Sequence, residues 1–324
     1  MAEQKKFEIS ESDIGQRIDL FLARHDELTL SRSQVQNLIE SEKILVNDKP
    51  ISKNHKLIAN EVIALTIPPR EISPLEPEDL NIDIIYEDKF LAVVNKPAGM
   101  VTHPGTGVKS GTMVNALLFH LKELAKSEEP ERPGIVHRLD KNTSGLLIVA
   151  KKEESFKILQ KMIQDRKIKR TYLGLICGHM PQESGEIDLP IARSNKDRKI
   201  MAVTRHNSRQ AITLYKLLNR YRSYELHEVT LQTGRTHQIR VHFSHLGHPV
   251  FGDPDYGGRE KWNNGIFGPE KPLGKKLLSI IQRQALHAFQ LQFLHPITEK
   301  EMKLETEIPA DFKKVIDILD SQGY

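Results

Sequence analysis

The stretch Pro133-Gly-Ile-Val-His137-Arg138-Leu139-Asp140-Lys141-Asn142-Thr143-Ser144-Gly145-Leu-Leu-Ile-Val-Ala150 sets one carboxylate between two cations, in a polar turn that runs into an apolar strand. Leu146 to Ala150 is an unbroken apolar run of strand length, the pattern of a strand buried on both faces. On spacing alone, Asp140 favours an Asx-turn, bonding its own backbone two residues on. No second carboxylate stands beside it in sequence, so a glycosidase working with paired acids would need its partner from elsewhere.

Flanking segments extend the strand pattern. Phe90 to Val94 reads as a buried strand ending at Asn95-Lys96-Pro97-Ala98-Gly99, and Thr171 to Gly178 reads as another. Tyr224 to Gln232 alternates as a half-buried strand does. Glu153 to Lys167 reads as a helix, with Phe156, Leu159 and Ile163 on one face and lysines on the other. Thr236 has the chemistry of an N-cap for a helix through Leu246. Strands and helices do not alternate strictly, so an α+β body with a mixed, mainly antiparallel sheet is expected rather than a doubly wound one.

At 324 residues the chain is long enough for about two domains. Proline-rich Pro68-Pro69-Arg-Glu-Ile-Ser-Pro74-Leu-Glu-Pro77 reads as an extended linker. The expected division is a small module over 1–70, a linker over 71–79 and a body over 80–324. In the module, Ile14, Ile18, Phe21 and Leu22 fall at helical spacing. Ser31 with Gln34 forms a capping-box pattern before Val35, Leu38 and Ile39. Ile44-Leu45-Val46 followed by Asn47-Asp48 is a hairpin signal.

No apolar run approaches the roughly 18 residues of a membrane span, and no signal-peptide core follows the first residues. A lone cysteine, Cys177, excludes internal disulfides and cysteine-rich zinc modules, and the cytoplasm is the expected compartment. The net charge of +4 is modest, but its distribution is uneven. Residues 151–250 hold 19 Lys and Arg against 9 Asp and Glu, whereas 1–70 hold 10 against 11. Such a basic body has the charge to neutralise nucleic-acid phosphates, though a merely solvated basic face would look the same.

Two other signals are weak. Gly105-Thr-Gly107-Val-Lys-Ser-Gly111 fits neither the P-loop nor the dinucleotide spacing and reads as a loop. His237, His242, His245 and His248 lack the helical zinc pair with its neighbouring glutamate, so capping, packing and RNA contacts explain them better than a metal.

The run Gly134-Ile-Val-His-Arg-Leu-Asp140-Lys-Asn-Thr-Ser-Gly145-Leu resembles the signature around the catalytic aspartate of RluA/RluD-type pseudouridine synthases. Four more blocks resemble that family in the same order. They are Arg170-Thr-Tyr172-Leu-Gly-Leu, Leu231-Gln-Thr-Gly-Arg235-Thr-His-Gln-Ile-Arg240-Val-His, Gly247-His-Pro-Val-Phe-Gly252-Asp and Arg283-Gln-Ala-Leu-His287-Ala. The small module resembles the alpha-L RNA-binding motif. Only Glu260 to Ser279 matches poorly, and it reads as a surface insertion.

The resemblance implies an isomerase that converts uridine to pseudouridine in RNA, large-subunit ribosomal RNA above all, with transfer RNA as the second candidate. It implies Asp140 as the catalytic carboxylate, Arg240 as its guanidinium partner and Tyr172 as the active-site tyrosine. Arg138 would fill the space of a flipped base. Arg235 and His237 would contact RNA, and Lys157, Lys161, Arg166, Lys167, Lys169 and Arg170 would follow the phosphate backbone. The acidic module would have to present a local basic edge through Arg17, Arg32, Lys43 and Lys53. No cofactor or metal is implied, and a monomer is the default. The rival reading is a catalytically silent RNA-binding factor of ribosome assembly.

Overall fold

The computed structural model of the chain describes every residue except 1, 2, 26, 29, 31, 68–74, 106, 128, 195, 196, 198, 199, 323 and 324. The Ser31 cap and the linker prolines Pro68, Pro69 and Pro74 therefore lie outside the described residues. The chain divides into two units, Met1–Ser73 and Pro74–Tyr324.

In the first unit, β1 (Glu3–Glu8) precedes helices α1 (Ile18–Arg24) and α2 (Arg32–Glu40). Strands β2 (Ile44–Val46), β3 (Lys49–Pro50) and β4 (Val62–Ile67) complete an antiparallel sheet of order β1-β4-β2-β3. Asn47 and Asp48 both take positive φ, as the two-residue hairpin turn between β2 and β3 requires. Ile18, Leu22, Val35 and Ile39 close the helices onto Ile44, Ile63 and Leu65. Ile14 stays outside α1 and is 46% exposed, so the helical spacing expected to begin there starts one turn later.

The second unit opens with β5 (Asp83–Glu87), β6 (Leu91–Lys96), α3 (Met113–His120), β7 (Ser144–Ala150) and α4 (Glu153–Gln164). Next come β8 (Lys169–Cys177), β9 (Ser184–Asp188), β10 (Ile191–Arg193), β11 (Met201–Val203), β12 (Ile212–Arg220) and β13 (Tyr224–Leu231). Helices α5 (Gln238–His245), α6 (Glu260–Gly265) and α7 (Glu270–Ile280), strands β14 (Leu286–Leu294) and β15 (Glu301–Glu305), and helix α8 (Ala310–Asp320) end it. The main sheet runs β5-β6-β7-β14-β8-β13-β12-β9, with β15 on β14. Among the described residues β7 and β14 run parallel and the other pairs antiparallel, the mixed sheet of an α+β fold. A separate hairpin is formed by β10 and β11.

Strand alternation decides what each face offers. On β8, Arg170, Tyr172 and Ile176 have one parity and Leu173, Leu175 and Cys177 the other. The first set faces the layer of α3 and α5, with Leu117, Ile239 and Phe243; the second packs against α7 and α8. On β7, Leu147 and Val149 join the first layer, whereas Leu146 and Ile148 pack on Phe156, Leu159 and Met162 of α4.

Residues 260–279 are not a surface insertion. They form α6 and α7, and Trp262, Leu273, Leu277 and Leu278 close the core under Tyr224, Phe251 and Phe312. Gly274 is what lets α7 sit so close, since a Cβ there would lie 2.1 Å from Asn263 Oδ1. Among the described residues, no helix is long and apolar enough to cross a membrane.

Candidate active site

Asp140 stands just before β7, and its neighbours are tied down on both sides. The Thr102 hydroxyl donates to the Leu139 carbonyl at 2.8 Å, and the Leu139 N–H donates back at 3.3 Å. Lys96, fully buried at the end of β6, donates its ammonium to the carbonyls of Pro97, Met100 and Lys141 at 2.9, 2.8 and 3.1 Å. Gly145 at φ +117 lets β14 pass, because a Cβ there would sit 2.2 Å from the Ala288 carbonyl oxygen. The turn itself closes through backbone, Thr143 N–H to Asp140 O at 3.1 Å. The Asx-turn favoured by spacing does not form; the carboxylate instead meets Arg240.

Arg240 sits in the first turn of α5. Gln238 anchors that turn, accepting from the Thr233 hydroxyl and the Arg235 N–H and donating to the Ile212 carbonyl and Thr213 hydroxyl. The cap is His237 in the left-handed region, not Thr236. Arg240 gives Nε and Nη2 to Asp253 at 2.6 and 2.8 Å, Nη2 also to Asp255 at 2.6 Å, and Nη1 to Asp140 at 3.3 Å. Its guanidinium carbon lies 4.8 Å over the Tyr256 ring. Burial disfavours the Arg240 charge, but Asp253, then Asp140 and Asp255, more than offset it and raise its pKa above the ordinary arginine value. Tyr256 accepts the Met201 N–H at 2.9 Å and lies 2.9 Å from His237 Nδ1.

Asp140, Tyr172 and Arg240 line one cleft of about 580 Å³, together with Arg138, Arg235, His237 and Arg170. Tyr172 is 4% exposed, and burial raises its phenol pKa against the opposing charge of Arg170. Arg138 is exposed, whereas Arg235 is held through Nε on the Gln210 carbonyl at 3.0 Å. Arg170, expected along the phosphates, is only 5% exposed because its parity on β8 turns it inward beside Tyr172. Lys157, Lys161, Arg166, Lys167 and Lys169 are exposed, with Arg166 also at the cleft.

The remaining expected residues belong to the other unit. Arg17 and Arg32 both spend their guanidinium groups on Asp19, which is fully buried, at 3.0 and 2.9 Å. Lys43 is exposed, and Lys53 pairs with Glu40 at 3.2 Å. The histidines do not converge: His242 bonds Thr213 and the Leu189 carbonyl, and His248 donates to the Cys177 carbonyl. Among the described residues no group of three or more His, Cys, Asp or Glu is placed to hold a metal. Sequence reading overlooked Asp253, Asp255, Tyr256 and Lys96 as parts of the site. The signals were Asp253 at the end of the fourth quoted block, and a lysine closing an otherwise buried strand.

A family model described as RNA pseudouridylate synthase matches residues 90–245. The chain is 41% identical over 312 residues to an uncharacterized RNA pseudouridine synthase of Aquifex aeolicus, covering 95% of each. It is 40% identical over 318 residues to ribosomal large subunit pseudouridine synthase D of Pasteurella multocida, covering 96% of this chain and 94% of that one. Its counterpart in Escherichia coli K12 is 38% identical over 315 residues, covering 96% and 93%. Among solved structures, human RNA pseudouridylate synthase domain containing 4 superposes with a TM-score of 0.55 at 27% identity, over 74% of this chain and 93% of that one.

Proposed function

The chain belongs to the RNA pseudouridylate synthase family and is an isomerase of uridine in RNA, and from that premise we propose that it acts on large-subunit ribosomal RNA with Asp140 as its catalytic carboxylate. The observation that carries the residue assignment is the Asp140 carboxylate, 3.3 Å from Arg240 in a cleft also lined by Tyr172. In the reaction the N1–C1′ glycosidic bond breaks, uracil turns, and C5 bonds to C1′; C5 gives up its proton and N1 takes one up, so the product is an isomer of the substrate. One carboxylate in contact with the sugar serves that chemistry, and the Arg240 guanidinium favours its charged form.

The target uridine must leave its stack, at a cost of a few kcal/mol. Arg138, exposed at the cleft, is the side chain to occupy the vacated space, and the Tyr172 ring offers a face for uracil. The exposed lysines beside α4 would follow the phosphates. The amino-terminal unit would act as an alpha-L type RNA-binding module, although Arg17 and Arg32 reach RNA only with the part of each guanidinium that Asp19 leaves free. The protein would work as a monomer in the cytoplasm.

The test is pseudouridine mapping of ribosomal RNA from cells lacking the protein, rescued by wild type or by Asp140→Asn. Modifications that vanish and return only with wild type support enzyme, residue and substrate together. An unchanged ribosomal map would move the substrate to transfer RNA. Restoration by Asp140→Asn would remove Asp140 from catalysis.

A further inference from the structure

The cleft lined by Tyr172 is also lined by two side chains with hydrogen-bond donors that meet no acceptor among the described residues. Arg170 is 5% exposed, yet among the described residues its guanidinium donates to no protein acceptor, and its Nε is buried without a partner. Its Nη1 lies 2.7 Å from where a Cβ of Gly234 would be, so the absence of a side chain at 234 makes room for the group. His137, 9% exposed, is the second donor. Its Nε2 accepts the Ile148 N–H at 3.0 Å, which puts the ring hydrogen on Nδ1, and that atom is buried and unpartnered. Burial, then the charge of Arg170, holds this ring neutral, its pKa down to about 3.

A buried guanidinium without a counter-ion is costly and calls for an anion. Asp140 is committed to Arg240, and uracil carbonyls are acceptors but carry no charge. In RNA the group that supplies both charge and acceptors is the phosphodiester. We propose that Arg170 and His137 form a phosphodiester subsite that holds the backbone phosphate next to the flipped uridine. It differs from the exposed lysines in being desolvated, so it would grip one phosphate rather than the strand's charge at large. This inference rests on the RNA-isomerase reading above.

The test uses a short RNA carrying the mapped uridine, made with ordinary phosphates or with a neutral methylphosphonate on its 5′ or its 3′ side. For wild type, one of the two replacements is expected to weaken binding about tenfold or more, the size of a charge-assisted hydrogen bond. Arg170→Met should lose a similar factor with the ordinary RNA and be indifferent to that replacement, a non-additivity that marks direct contact. Arg170→Met should also unfold at a higher temperature than wild type, since it removes a buried unpaired charge. Arg170→Lys should retain the sensitivity to that phosphate. In wild type, the His137 Nδ1–H resonance should move with ordinary RNA and with the analogue that leaves binding unchanged, and not with the replacement that weakens binding. Wild type indifferent to both replacements, or Arg170→Met as sensitive as wild type, overturns the proposal. So does coupling of Arg170 to sulfur replacement of a uracil carbonyl, which would turn these donors toward the base. A wild-type enzyme that forms no pseudouridine in any RNA fails the parent reading instead.

Discussion

Arg240 Nη1 lies 3.3 Å from Asp140 Oδ2, while the other side of the same guanidinium is clamped by fully buried Asp253 through two bonds of 2.6 and 2.8 Å. The two aspartates are 113 positions apart in the chain and play unlike parts. Asp253 is sealed and spends both oxygens on Arg240, so it determines where the guanidinium points. Asp140 lines the cleft, and among the described residues only its Oδ2 accepts a side-chain hydrogen bond, from Arg240.

Asp253→Asn is therefore expected to lower kcat about tenfold to a hundredfold with little change in KM, the effect of a misplaced catalytic partner. It should also cost about 3 kcal/mol, because it breaks a buried charge pair. Steady-state kinetics with denaturant unfolding measures both. An unaltered kcat would mean that Asp255 and Tyr256 suffice to hold Arg240.

Gly145→Ala tests the seam of the sheet. The φ of +117 and the Ala288 carbonyl 2.2 Å from the added carbon combine strain with a clash against backbone. A loss of about 3 kcal/mol or more is expected, seen as a Tm lower by roughly 6–12 °C for a unit of this size. A wild-type Tm would show that β14 can retreat at no cost.

Much of this architecture could be read from the chain beforehand, and the failures have physical causes. Strands β6, β7, β8 and β13 showed themselves because burial on one or both faces leaves a periodic or continuous apolar run. The Asp140 turn was visible, but its side-chain partner comes from α5, a hundred residues away, and only family resemblance pointed there. The α5 cap was misplaced by one residue because His237, in the left-handed region, is held from Tyr256, a tertiary contact that local propensity does not contain. Helices α6 and α7 were hidden by glycines and prolines, which disguise the spacing of Trp262, Leu273 and Leu277.

Acid should weaken the second unit through buried histidines. Burial, aided by Arg283, lowers His287 to about 4; burial, with Arg132 and Arg138, lowers His103 to about 4; His137 falls to about 3. In the unfolded chain each titrates near about 6.5. Between there and the folded values the unfolded state binds more protons, so this stability is intact above pH 6.5 and is lost as pH falls toward 4. Each ring contributes about 1.4 kcal/mol per pH unit in that window. Trp262, the only tryptophan, reports unfolding of this unit, and His287→Gln should flatten the pH slope by one ring's share. Parallel slopes in variant and wild type would contradict the neutral buried ring.

Lys96→Met separates anchoring from chemistry. The ammonium has three N–H groups and meets three carbonyls, a match that neither a neutral side chain nor water could provide in a position with no exposure. Methionine fills nearly the same volume, so a packing role would survive the change. What is lost is the donor set. Lys141 O keeps the Gly99 N–H at 2.9 Å, but the Pro97 and Met100 carbonyls lose this donor. At about 1–3 kcal/mol for each buried unsatisfied group, a destabilisation of about 3 kcal/mol is expected. The bond to Lys141 is the one that reaches the residue after Asp140, and its loss frees the carboxylate to wander from Arg240. Isomerisation should then fall more than RNA affinity, a split that single-turnover rates and binding titrations on the same RNA resolve. If Lys96→Met retains both its melting temperature and its rate, the turn that carries Asp140 is held by Thr102 and Gly145 alone.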